Sequence, residues 1–340
     1  MGADIADGDV CRALAMSGGG NNGAWEVGVI YGLVNNGDPK DFEYDVVSGV
    51  SAGAMSTLVF AGWEKGTEKE LAQWGSDLWK NMKTSDIWID WPLGKVSGAT
   101  IMPGLLDDSP LYHMLEGIVE EFTEFKRRIV IAAVDVGTGE YTQFTNDNIE
   151  LYELPHAAVS SASIPGAFPH HIWRMGNFMD GGTTYNINME GAIQGCKDLG
   201  YKESQIVIDV MICGTPESLS AEDKSGNSLD NFLRRHDLRK YWLDMDSTAT
   251  SIYGHPEVDV RYVIKQSGAP FSGKDELNFA GDFTWSAQLN GREDGENAIK
   301  GTHGANVKEF INEWHADETV RASYPRVGDY VHSRATEAYA

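Results

Sequence analysis

Two glycine-rich turns, each set between a short apolar strand and an apolar helix, dominate the first sixty residues. Ala13 to Met16 reads as a strand, and Gly18-Gly19-Gly20-Asn21-Asn22-Gly23 follows at once. Ala24 to Val34 then has the apolar spacing of a helix, closing near Asn36-Gly37 and Pro39. Phe42 to Val47 has strand character, and Gly49-Val50-Ser51-Ala52-Gly53 leads into a second apolar helix over Ala52 to Gly62. A helical crossover between neighbouring strands makes those strands parallel. The alternation continues through strands at Ile129 to Val136, Thr142 to Phe144, Ile172 to Met179, Ile206 to Ile212 and Arg261 to Ile264, with a helix at Met189 to Leu199. The pattern predicts an α/β fold, a mostly parallel central sheet with helices on both faces. Pro216 to Asp230 reads as a polar, mobile loop, and the tail beyond about 270 as glycine-rich turns with one helix, Val307 to His315. There is no clean linker, so residues 1 to 340 read as one domain.

Charge narrows the function. The chain carries 27 Lys and Arg against 51 Asp and Glu, a net charge of −24. Nucleic-acid binding needs clustered cations on phosphates, so that class is excluded. Repulsion from strongly anionic membranes follows too, leaving apolar side chains or neutral lipid for any transient membrane or micelle contact. Met1 to Val10 has neither the basic nor the apolar run of a signal peptide. No Asn-x-Ser/Thr site occurs. The compartment, cytoplasmic or secreted, stays open. Three cysteines, Cys11, Cys196 and Cys213, make no disulfide framework. Three reduced thiols are the favoured reading over one bridge plus a free thiol.

The glycine loop has two readings. Gly18-x-Gly20-x-x-Gly23 fits the dinucleotide-binding pattern, which also requires an acidic residue at the tip of the second strand to hold the ribose. That tip runs into Ser48-Gly49-Val50-Ser51 and has no carboxylate. The better reading is an oxyanion hole, in which successive glycines let backbone N–H groups converge at a helix N-terminus. Ser51 lies at the end of the next strand, in a G-x-S-x-G match. That match alone is weak, but its position between a buried strand and an apolar helix is that of a nucleophile elbow. A serine nucleophile needs a base. Downstream histidines His255, His303 and His315 sit in no recognisable strand-end loop with an acid partner, and His170-His171 reads as a surface or pocket wall. Asp180-Gly181-Gly182 is the better candidate, because glycines let a carboxylate approach another backbone closely. Asp244-x-Asp246 lacks the glycine and glutamate of a calcium loop, and no metal or other cofactor is expected.

Three motifs thus stand in order: Gly18-Gly19-Gly20-x-x-Gly23, Gly49-x-Ser51-x-Gly53 and Asp180-Gly181-Gly182. Together with Ser160-Ser161-Ala162-Ser163-Ile164-Pro165-Gly166-Ala167-Phe168-Pro169, they resemble the patatin-like phospholipase family. The resemblance is clear over about 11 to 215, with 216 to 340 as a C-terminal extension of the same domain. It implies a three-layer sandwich and a Ser–Asp dyad without histidine. Ser51 would attack an acyl ester of a phospholipid or other lipid and Asp180 would accept its proton, with oxyanion donors around Gly18, Gly19 and Gly20. One departure stands out: the family usually has Arg or Lys after Gly-Gly-Gly-x, where this chain has Asn22.

The substrate surface is less legible. Trp63, Trp74, Trp79, Trp88 and Trp91 crowd one stretch, and core packing is the favoured reading over an apolar mouth for acyl chains. Met102, Leu105 and Leu106 are alternative lid residues. Two rival functions share the fold: a catalytically silent lipid-binding protein, and an acyltransferase using an acceptor other than water.

Overall fold

The computed structural model describes residues 9–92, 94, 102–174, 176–215, 228–302 and 305–322. Eight strands form one sheet: β1 (Cys11–Met16), β2 (Val46–Gly49), β3 (Arg128–Asp135), β4 (Tyr141–Thr145), β5 (His171–Trp173), β6 (Gly176–Asp180), β7 (Ile206–Ile212) and β8 (Asp259–Lys265). Their order is β5-β6-β3-β2-β1-β7-β8, with β4 pairing β3 off this path. The run β3-β2-β1-β7-β8 is parallel, and β4, β5 and β6 join antiparallel. The helices are α1 (Gly23–Asn36), α2 (Ala52–Ala61), α3 (Glu68–Asn81), α4 (Ser109–Val119), α5 (Leu154–Ala162), α6 (Met189–Asp198), α7 (Ser228–Gly254), α8 (Gly281–Lys300) and α9 (Val307–Ala322). The expected mostly parallel α/β fold is the observed one.

Strand alternation sorts the core. Ala13, Ala15, Val46, Ile208 and Val210 meet α6, α7 and α9 on one face. Leu14, Met16, Val47 and Met211 meet α1 and α8 on the other. A third cluster joins β3 to α2, α4 and α5.

Register along β3 positions the site. Ile131 pairs with Gly49 of β2 and with Phe144 of β4. Ala133, two residues on, pairs with Asp180 of β6 and with Thr142 of β4. Since β4 occupies one edge throughout, Gly49 and Asp180 follow each other along the opposite edge. The end of β2, just before Ser51, and the end of β6 are thus neighbours.

Several expectations are corrected. Phe42 to Val47 is not one strand: Pro39–Phe42 form a 3-10 turn, capped by the Asp38 side chain accepting from Lys40 N–H, and pairing begins at Val46. Phe42 and Tyr44 bury their rings without joining the ladder. Ile172 to Met179 is a hairpin, turning at Arg174 with φ of 52°. The tail holds a second long helix, α8, and α7 begins at Ser228, inside the stretch read as a mobile loop. The rest of that loop, 216–227, lies outside the described residues. The cysteines are not all reduced: Cys11 and Cys196 form a disulfide tying β1 to α6, and Cys213 is a buried free thiol.

Candidate active site

Ser51 caps α2 with φ of 53°, a conformation that costs a non-glycine residue about 1–3 kcal/mol. Its neighbours explain how it is held. A Cβ on Gly49 would lie 2.0 Å from the Gly53 carbonyl oxygen, and one on Gly53 would lie 2.5 Å from that of Met16. Ser51 N–H donates to Ser161 Oγ at 2.9 Å, whose own hydroxyl donates to the Ala132 carbonyl at 2.6 Å. The Ser51 hydroxyl lies close enough to the Asp180 carboxyl to favour its ionised form.

Asp180 ends β6 and accepts from Gly182 N–H at 2.7 Å. Burial pushes its pKa up to about 6, against the opposing pull of Ser51, Gly182 N–H and the charges of His236 and Lys240. A Cβ on Gly181 would meet the Ala132 carbonyl oxygen at 2.4 Å, so only glycine lets this turn lie against β3.

The glycine loop runs past both groups. Gly18 N–H is already taken, by the Asn186 carbonyl and by Asn186 Oδ1, each at 3.1 Å. Gly18 packs against Ser51 instead: a Cβ placed on it would lie 2.8 Å from the Ser51 Cβ. The N–H groups of Gly19 and Gly20 have no acceptor among the described residues. Gly20 has φ of 55°, which turns the chain into the 3-10 turn before α1. Asn22, standing where the family usually has a cation, is fully buried. Its Nδ2 donates to the carbonyls of Gly19 (2.9 Å) and Phe271 (3.1 Å), and its Oδ1 accepts from Phe271 N–H (2.9 Å). Gly23 opens α1, where a Cβ would press on Ala52 and Trp79.

The loop is fastened by residues that sequence reasoning missed. Asn186 Nδ2 donates to the Gly18 carbonyl at 3.0 Å and to Asp244 Oδ1 at 2.9 Å. Asp244 Oδ2 accepts from Lys240 Nζ at 3.1 Å and from the Thr215 hydroxyl, and Lys240 also donates to the Cys213 carbonyl at 2.6 Å. The carboxylate dismissed as half a calcium loop is therefore an internal anchor, and a cation reaches this region from α7. A lone Asn six residues after Asp180 carried the only sequence signal.

An apolar cavity of about 90 Å³ opens beside Ser51 and Gly20. Its wall includes Val27, Met55, Trp74, Trp79, Met114 and Phe279. Trp74 and Trp79 thus belong to the cavity rather than to a sealed core, which corrects the favoured reading for those two. Trp63, Trp88 and Trp91 do not line it, and neither do Met102, Leu105 or Leu106. No histidine lines it either. His255 is held by Glu190 and Glu203, His315 by Tyr253, and His171 by His156. His303 lies outside the described residues.

The family described as Patatin-like phospholipase matches residues 14–193, more than half of the chain. The chain belongs to this family. The matched segment carries Ser51, Asp180 and the glycine loop, while Lys240 and Asp244 lie beyond it. Among solved structures, VipD from Legionella pneumophila is similar at 14% identity and a TM-score of 0.42, over 86% of this chain and 67% of that one. The ExoU–SpcU complex from the type III secretion system of Pseudomonas aeruginosa is similar at 13% identity and a TM-score of 0.37, over 86% of this chain and 52% of that one. The chain thus spans about half the length of its ExoU match. No curated protein matches it. Among the described residues, no helix is long and apolar enough to cross a membrane.

Proposed function

We propose that this chain is a serine lipid acyl hydrolase of the phospholipase A type, working as one domain through Ser51 and Asp180. The observation that carries the reading is a buried pair, Ser51 on a strained turn lining an apolar cavity and the Asp180 carboxyl close enough to feel its hydroxyl. With its pKa near 6, Asp180 is ionised at neutral pH yet close enough to the working pH to exchange a proton efficiently. Ser51 Oγ attacks the ester carbonyl while its proton passes to Asp180. The resulting oxyanion is held by the free N–H groups of Gly19 and Gly20, assisted by the positive end of α2. Gly18, its own N–H occupied, shapes the loop rather than donating. Collapse expels the lipid alcohol, which takes the proton from Asp180. Water then attacks the acyl-enzyme, giving its proton to Asp180, and the fatty acid leaves with Ser51 restored. Every step uses side chains and backbone of this chain, so no cofactor is invoked.

The substrate is an acyl lipid whose chain fills the cavity, met as a monomer or at a micelle or membrane surface. The test is ester turnover by the wild type, Ser51→Ala and Asp180→Asn, each checked for folding. Both variants are expected to lose nearly all activity, and a fully active Ser51→Ala overturns the mechanism. A folded wild type that binds acyl lipid and turns over none would point instead to a silent lipid carrier. Release of acyl-alcohol rather than free acid, when an alcohol is supplied, would indicate acyl transfer.

A further inference from the structure

The chain is strongly acidic, yet one stretch of α7 reverses the sign. Residues 234–240 read Arg-Arg-His-Asp-Leu-Arg-Lys, four cations and a histidine against one carboxylate. In a helix, residues four apart share a face, so Arg235 stacks over Arg239 and His236 over Lys240. Arg235, His236 and Arg239 are exposed, whereas Lys240 turns inward to Asp244. This strip borders the dyad. Arg239 donates to the Thr183 carbonyl, in the turn that follows Asp180. His236 and Lys240 both act on the Asp180 carboxyl through their charge. The carboxylates facing the strip are Asp237, 4.0 Å from His236, and Glu276, whose pKa burial raises to about 7, so that it carries only about half a negative charge at neutral pH.

The two sides of Ser51 therefore differ in kind. The apolar cavity lies among α1, α2, α3 and α4, and no residue of α7 lines it. An acyl chain in that cavity leaves the alcohol half of its ester outside it, at Ser51, beside Asp180 and the turn that Arg239 grips.

We propose that Arg235, His236 and Arg239 bind the phosphate of a lipid head group, making the preferred substrate an anionic phosphate-bearing acyl lipid rather than a neutral acylglycerol or glycolipid. The inference rests on the acyl hydrolase reading above. Guanidinium groups suit it, since charge-assisted hydrogen bonds to phosphate are the stronger kind and a planar fork can grip two oxygens. The strip also gives an acidic protein a local attraction for an anion that its overall charge would repel.

The test uses the full chain and two esters with the same acyl chain, 1-acylglycerol and 1-acylglycerol 3-phosphate, both kept monomeric. The expected kcat/KM is at least about tenfold higher for the phosphate ester, a preference that shrinks as salt screens it. Arg235→Gln with Arg239→Gln is expected to bring the ratio toward one. Arg235→Gln alone, at an exposed position, gives a partial fall and serves if the double variant folds poorly. Loss of folded protein lowers both rates together, so the ratio reads the head group alone. A wild-type ratio near one, or an unchanged ratio in the variants, overturns the inference while leaving the hydrolase reading intact. A wild type that cleaves neither ester removes both. Glycerol 3-phosphate should compete better than inorganic phosphate; equal competition would mean a free-phosphate site and overturn the head-group assignment. A preference seen only on anionic vesicles, never with monomers, would assign the strip to surface attraction and overturn it as well.

Discussion

Replacing Asp180 by Asn should abolish turnover and make the protein more stable, and the size of the second effect follows from the site. The Asp180 carboxyl is buried and held at about 6, against an ordinary value of 3.8. The folded chain therefore grips this proton more tightly than the unfolded chain does. Stability is unpenalised below the unfolded value, falls as pH rises through the window between about 4 and 6, and bears the whole cost above it. Two decades of proton affinity correspond to roughly 3 kcal/mol. Asn keeps the acceptor for Gly182 N–H and carries no charge to bury, so the variant escapes that cost. With a melting-temperature change of about 2 °C per kcal/mol for a chain of this size, Asp180→Asn should melt roughly 6 °C above the wild type at pH 8 and level with it near pH 4. Thermal unfolding at the two pH values reads this directly, alongside ester turnover. The wild-type kcat/KM should climb through pH 6 as the base ionises. A variant that melts with or below the wild type at pH 8, or one that retains turnover, refutes the account of a carboxylate strained by burial for use as a base.

Three further outcomes follow from the anchors and the cavity. Asn186→Ala removes two hydrogen bonds to Gly18 and one to Asp244, a loss of about 3 kcal/mol at roughly 1 kcal/mol each. It should cut kcat at least about tenfold and speed amide exchange over residues 17–22; unchanged exchange there would deny the loop its anchor. Met114→Trp narrows the cavity, so the rate on long-chain esters should fall at least about tenfold relative to short-chain ones, measured across an ester series. Cys11→Ser with Cys196→Ser opens a covalent loop of 185 residues, costing about 4–5 kcal/mol in the chain-entropy view and lowering the melting temperature by roughly 10 °C. Equal melting of the variant and the oxidised wild type would show that the bridge stabilises nothing.

The parts legible in the sequence were those that local chemistry decides. Gly49, Gly53 and Gly181 each mark a place where a Cβ would strike a backbone carbonyl oxygen, and such positions announce themselves as glycine in a fixed pattern. Apolar periodicity found β7 to the residue and α1, α2 and α6 to within two. Long-range partnership was invisible. Asn186 fastens Gly18 across 168 positions, and Asp244 is fixed by three partners scattered along the chain. Aromatic and β-branched character misled at Phe42 and Tyr44, whose burial comes from packing above the sheet, with Tyr44 Oη donating to Asp209 at 2.7 Å. Gly281, Gly291 and Gly295 made α8 look like turns, because glycine is a poor helix former in isolation.

Those same glycines bear on where the folding unit ends. A Cβ on Gly291 would lie 2.1 Å from the Trp25 carbonyl oxygen, and one on Gly295 2.4 Å from that of Val29. The fit is mutual: Cβ atoms on Gly28 and Gly32 of α1 would lie 2.3 and 2.4 Å from the carbonyl oxygens of Gln288 and Arg292. Two backbones thus interlock, four residues apart on each side, with Trp25 Nε1 donating to Asp294 at 2.7 Å beside them. The first of these helices springs directly from the glycine loop, so a helix from the last third of the chain splints that loop. Trimming the protein to its family-matched segment would keep Ser51 and Asp180 and strip the helix that holds their loop in line.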